Sequence, residues 1–137
     1  MEKQNRCVTY FRMVGQFDPD RVTEILGLQP EKCIKVGDVL RNGKKSDVAS
    51  WEIGRCDVYD PIVANQMKRS ISLLRNKVDA LRQIKETYEV SYYLEVVPEI
   101  HAEGVHPCLS PDLDIIDFCH AARCEIDIDM YILTEDE

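Results

Sequence analysis

Two segments alternate apolar and polar side chains without a break, and this constrains the chain more than any other feature. In CEIDIDMYI (124–132), Cys124, Ile126, Ile128, Met130 and Ile132 fall on one side, and Glu125, Asp127, Asp129 and Tyr131 on the other. In EVSYYLEVV (89–97), Val90, Tyr92, Leu94 and Val96 oppose Tyr93 and Glu95. A period of two is the mark of a strand with one buried and one exposed face. Such strands need a covering layer on one side only, which leaves the other side of their sheet open to solvent.

The covering layer is legible in helical signals between the strands. In FDPDRVTEILGLQP, Asp18 is an N-cap, Pro19 suits the first helical position, Val22, Ile25 and Leu26 form an apolar stripe, and Gly27 with Pro30 ends the helix. Asp60-Pro61 repeats that start. From there Val63, Met67, Ile71, Leu74, Val78 and Leu81 recur at steps of four and three, predicting one long helix to about Thr87 with a potential break near Asn76. Ser110-Pro111 opens a third helix, with Ile115, Ile116, Cys119 and Ala122 as its buried stripe. CVTYFRMV (7–14) and KCIKVGD (32–38) read as the first two strands, RNGKKSD (41–47) as a hairpin tip, and SWEI (50–53) as resumed strand.

The resulting order is β-α-β-β-α-β-α-β. It predicts a ferredoxin-like, mostly antiparallel sheet with helices on one face, plus an added C-terminal helix-strand unit. A length of 137 residues suits a single α+β domain over 1–137 with frayed ends, including the TEDE tail. The strand–loop–helix–strand pattern around FDPD and LSPD echoes between the two ends of the chain, too briefly to establish a duplication.

Charge narrows the partners. A net charge of -8 makes a nucleic-acid backbone an unfavourable partner, because that affinity rests on Lys and Arg. Residues 60–87 carry six bases (Lys68, Arg69, Arg75, Lys77, Arg82, Lys85) against three acids, whereas 110–137 carry nine acids against Arg123. Such asymmetry steers partners or prevents self-association. The opening MEKQNRCVTY has no apolar leader core and no apolar run approaches membrane-spanning length, so the expectation is a cytoplasmic chain without membrane contact. In that compartment the six cysteines are expected as free thiols.

With the elements placed, the chain resembles a bacterial family of small proteins, domain of unknown function 4279. The resemblance rests on YFRMVGQFDPDRVTEILGLQP, KVGD (35–38), SWEI (50–53), and SPDLDIIDF running into CEIDIDMYI, in that order over nearly the whole chain. The family often has an aromatic shortly before Lys-x-Gly-Asp, where this chain has Cys33 and Ile34. The resemblance implies an α+β fold in a bacterial cytosolic setting, no accepted activity, and an association with toxin-immunity systems.

Three function classes follow. The outward positions Tyr10, Arg12, Glu52, Tyr93, Glu95, Glu125, Asp127, Asp129 and Tyr131 make a candidate partner-binding face with tyrosines and an arginine among carboxylates, suited to a basic protein or toxin. The bland alternative is that these acids keep a sheet face soluble. Alternate residues of one strand stand nearly 7 Å apart, so Glu125, Asp127 and Asp129 cannot converge on one cation unaided. The second class is a small-molecule or metal-dependent enzyme using the 98–109 loop with His101, His106, Cys108, Cys119, His120 and Cys124. These residues lack the short Cys spacing of a zinc knuckle and any motif posing a cysteine nucleophile. The third class is a structural subunit docking through the basic long helix. Gly37-Asp38 reads as a turn and Trp51 as core. No phosphate loop, nucleophile elbow or cofactor motif appears, so neither catalysis nor a cofactor is implied, and the sequence leaves the oligomeric state open.

Overall fold

A computed structural model describes residues 4–134. Its elements run β1 (Arg6–Gln16), α1 (Pro19–Leu26), β2 (Lys32–Ile34), β3 (Ala49–Cys56), α2 (Val63–Ile71), α3 (Val78–Thr87), β4 (Glu89–His101), α4 (Leu113–Ala122), β5 (Cys124–Ile128) and β6 (Tyr131–Leu133). The fold is α+β, with four helices and a six-stranded mixed sheet. The order across the sheet is β2-β3-β1-β4-β5, with β6 also on β4. Pairing is antiparallel from β2 to β4, while β5 and β6 run parallel to β4.

One sheet face carries Phe11, Met13, Trp51, Ile53, Tyr92, Leu94 and Val96, packed in a single core with Val22, Leu26, Met67, Ile71, Leu81, Ile84, Ile115 and Phe118 of the four helices. The polar groups that enter this core are satisfied. Trp51 Nε1 donates to Thr23 Oγ1 at 3.0 Å, the Tyr92 hydroxyl donates to the Leu81 carbonyl at 2.5 Å, and Thr9 Oγ1 meets Ser70 Oγ at 2.7 Å. Gln66, fully buried, donates through Nε2 to the carbonyls of Cys7 and Cys56 and accepts from the Asp60 amide at Oε1. That side chain ties α2 to two strands and to the turn before it.

Close approach of α2 to β3 depends on one glycine. Gly54 has φ 78°, and a Cβ there would stand 2.0 Å from the Ser70 carbonyl oxygen. Between the pairs Phe11↔Ile53 and Thr9↔Cys56, β3 uses one more residue than β1. This is a β-bulge, and the left-handed backbone of Gly54 lies inside it.

Several expected boundaries move. The long helix is two helices. Its apolar stripe continues through Leu74 to Leu81, with Val78 only partly buried, but the chain turns between Ile71 and Val78 through tight bonds from Leu74 N to Ile71 O and from Lys77 N to Leu74 O. The turn lets α2 lie on β1, β3 and β4 while α3 packs against α1 and α4. The Asp18 cap and Pro19 stand as expected. Asp60, however, accepts the Ile62 amide ahead of a helix that begins at Val63, and the cap of α4 is Asp112, not Ser110, accepting from Ile115 N. The strand expected over 32–38 stops at Ile34. Its continuation is a turn in which Gly37 has φ 92° and Asp38 accepts the Lys35 amide at 2.8 Å.

The strand expected over 124–132 is divided at Asp129–Met130, yet its register does not slip. Ile128 is opposite Val96 and Tyr131 opposite Glu99, the same offset throughout. The gap faces Pro98. Asp129 N donates to Val96 O at 2.8 Å, and the reciprocal bond to the Asp129 carbonyl would need an N–H at residue 98, which proline lacks. The apolar side of this strand also departs from expectation. Cys124 is buried and Ile126 half-buried, but Ile128, Met130 and Ile132 are 42%, 45% and 50% exposed, because the helix layer does not extend over them. On α4, Ile116 is likewise exposed while Phe118 takes its place in the core. The TEDE tail lies outside the described residues beyond Thr134.

Candidate functional site

Strand register assembles the open face row by row. Arg12 is opposite Glu52 on one side and Tyr93 on the other, Glu52 is opposite Lys32, and Tyr93 is opposite Glu125. One row therefore crosses all five strand positions as Lys32, Glu52, Arg12, Tyr93 and Glu125. The adjacent row holds Tyr10, Glu95 and Asp127. Beyond it, Tyr131 is opposite Glu99, and the Tyr131 hydroxyl donates to Asp129 Oδ2 at 3.1 Å. All nine residues expected on the outer face thus share it.

Their environments differ. Glu125, Asp127, Asp129 and Tyr131 are exposed, whereas Tyr10, Arg12, Glu52 and Tyr93 are half-buried. Glu95 is only 6% exposed, although it stands on the side of the sheet away from the helices. Burial is the largest influence on its carboxyl, followed by a hydrogen bond and charge from Asp127. With Asp129 adding and Arg12 opposing, its pKa is pushed up to about 7. Glu95 therefore keeps its proton up to near neutral pH, beside Asp127. Tyr10 is raised as well, first by burial and then by Glu95 and Glu52.

Arg12 supplies the central positive charge. Its guanidinium carbon lies 5.9 Å from the Tyr93 ring centroid, within cation–π range. Its Nε is buried without a hydrogen-bond partner, as is the hydroxyl of Ser50, which is opposite Val14 on the same face. Sequence reasoning missed Lys32 and Ser50 as members of this face, and also Arg6 and Glu99, which follow from the same alternation. Near the β6 end lies a groove whose lining includes Arg6, Arg55, Asp57, Tyr59, Glu99 and His101.

The family is decided by one comparison: a family model described as a domain of unknown function, DUF4279, matches residues 5–133. The chain belongs to the DUF4279 family. The match spans every strand and helix and so takes in the whole open face. Comparison with curated proteins and with solved structures returns no match.

The residues of the competing sites are dispersed in this DUF4279 chain. His101 ends β4, His106 and Cys108 are exposed in the following loop, and His120 is exposed on α4. Cys119 and Cys124 are buried, and the Cys124 thiol donates to the Glu125 carbonyl at 3.5 Å. Among the described residues no three His, Cys, Asp or Glu side chains converge as a metal site requires. The basic segment is largely engaged within the molecule. Lys68 pairs with Asp112, Arg75 with Asp114 at 3.7 Å, Arg82 Nε donates to the Ala121 carbonyl at 2.7 Å, and Lys85 sits 4.7 Å from the Tyr92 ring centroid. Part of the charge asymmetry is thereby absorbed between α2–α3 and α4. No ion pair among the described residues reaches Glu125, Asp127 or Asp129. No described helix is long and apolar enough to cross a membrane.

Proposed function

We propose that the chain is a non-enzymatic protein-binding domain whose open sheet face captures a basic partner. The observation that carries this reading is the pair Glu95–Asp127, a buried carboxyl holding its proton beside an exposed carboxylate, with Tyr10 in the same row. A lysine or arginine head group arriving there replaces the proton of Glu95 with a charge. Glu95 then ionises, and burial strengthens the contact. Tyr93 and Tyr10 supply rigid contact area, and Glu125 and Asp129 extend the attraction to the rim. The finer form of the reading is an immunity-type protein that neutralises a basic toxin.

The test is a charge reversal that spares the core. Asp127→Lys with Asp129→Lys, both exposed, is expected to retain the circular-dichroism spectrum and unfolding midpoint of the wild type while losing capture of a basic protein on immobilised domain. Added salt weakens the wild-type capture, and capture strengthens as pH rises through about 7, where Glu95 gives up its proton. Unchanged affinity and salt dependence in the double variant would refute the reading.

A further inference from the structure

We propose that the outer edge of β5 and β6 receives an extended segment of the partner as an added strand, and that this segment alternates apolar and basic residues. The inference rests on the basic-partner reading and specifies how such a partner is held. β5 is the last strand in the sheet order, and among the described residues no strand pairs with its outer side.

Hydrogen-bond phase identifies the free groups. Asp129 N donates to Val96 O, and Ala102 N donates to Leu133 O, so the odd-numbered residues turn their backbone polar groups toward β4. The even-numbered residues Ile126, Ile128, Met130 and Ile132 direct theirs outward. Because the register holds across Pro98, these groups form one line over both strands.

Side chains set the chemistry of the occupant. Ile128, Met130 and Ile132 present exposed apolar surface on the helix side of that edge, and Glu125, Asp127 and Asp129 present exposed carboxylates on the other. An added strand meets apolar surface at every second residue and negative charge at the residues between. Exposed edges are commonly blunted by lysine or proline on the edge strand, and residues 124–133 contain neither. A second copy of the chain is a poor occupant. Its own edge would bring carboxylates against carboxylates, so the acids both reject self-pairing and select a basic strand.

The test uses the full chain and a short synthetic peptide of alternating lysine and valine, followed by amide hydrogen exchange. The peptide is expected to slow exchange at Ile126, Ile128, Met130 and Ile132 and to bind more tightly than a peptide of the same composition with its lysines and valines in separate blocks. Ile128→Pro removes an outward donor and leaves the bonds to β4 in place, so it should weaken binding roughly tenfold. Met130→Pro should do the same where the ladder is already interrupted, and keeps the test open if the first variant does not fold. If the alternating peptide binds, loses affinity in Asp127→Lys, but protects none of the four amides and ignores both prolines, strand addition is overturned while the basic-partner reading stands. If neither peptide binds at low salt, both readings are overturned. A self-associated form in sedimentation that both proline variants dissolve would show that a second copy takes the edge, and would overturn the proposal.

Discussion

Gln66 shows how a polar residue can be essential without being functional. Its buried amide fills three hydrogen-bonding obligations: the carbonyls of Cys7 and Cys56 and the amide of Asp60. Gln66→Leu keeps the volume and removes all three partners, so it should destabilise by about 2–4 kcal/mol, read from urea unfolding. Glu95 is the opposite case, a residue whose burial costs stability. Its carboxyl is raised in the folded state, so the fold binds an extra proton between the ordinary carboxylate range and about pH 7. That contribution is fully present below the unfolded pKa and is lost as pH rises through the folded one. The unfolding midpoint should therefore fall from about pH 5 to about pH 8, and Glu95→Gln should flatten that slope. The groups facing it are Asp127, Asp129 and Arg12. A midpoint equally pH-dependent in the variant would assign the effect elsewhere. Neither role was legible in sequence. Nothing in ANQMK announces that its glutamine points at two carbonyls, and alternation places Glu95 outward without saying that Tyr10 and Arg12 beside it leave it dry.

At the scale of elements, what the sequence conveyed was periodicity, and what it withheld was everything that depends on a partner. The alternation of β4 and the cap of α1 appear in the structure because each is a local property of its own residues. The long helix appeared continuous because an apolar stripe runs across a turn as readily as along a helix, provided both pieces face the same core. The exposed row at Ile128, Met130 and Ile132 was read as buried because alternation reports two faces but not whether a helix covers either of them. Gly54 belongs to this scale too. GRC after SWEI gave no sign of a bulge, yet helix α2 touches the sheet there. Gly54→Ala should cost about 2 kcal/mol or more, from the left-handed backbone and the clash with Ser70 O together. Thermal unfolding would check this, with Gly43→Ala, also at positive φ but with nothing within 4 Å of its added Cβ, as the control for backbone strain alone.

For the whole molecule, the candidate face was legible because register only had to bring already outward residues together. The basic segment was misjudged because its charges meet the acids of α4 only after folding. The cysteines offer a global readout. All six are free, with Cys7, Cys119 and Cys124 buried and Cys33 and Cys108 exposed. Thiol titration of the native protein should find the two exposed groups reacting at once and the buried ones only at the rate of opening, Cys7 also being slowed by a thiol pushed up to about 11 through burial. Titration after unfolding without reductant should count six, and a count of four would reveal a disulfide.

The position of β1 has a further consequence. It lies between β3 and β4, pairing Gln16 with Glu89 and Arg6 with Glu99. On the ribosome, β1 therefore emerges long before its second neighbour exists. Until residues near 100 have left the exit tunnel, one long side of an eleven-residue strand stays unpaired. The central strand of the finished sheet is thus the part of the nascent chain that waits longest, and the interval in which a chaperone is of use ends when β4 arrives.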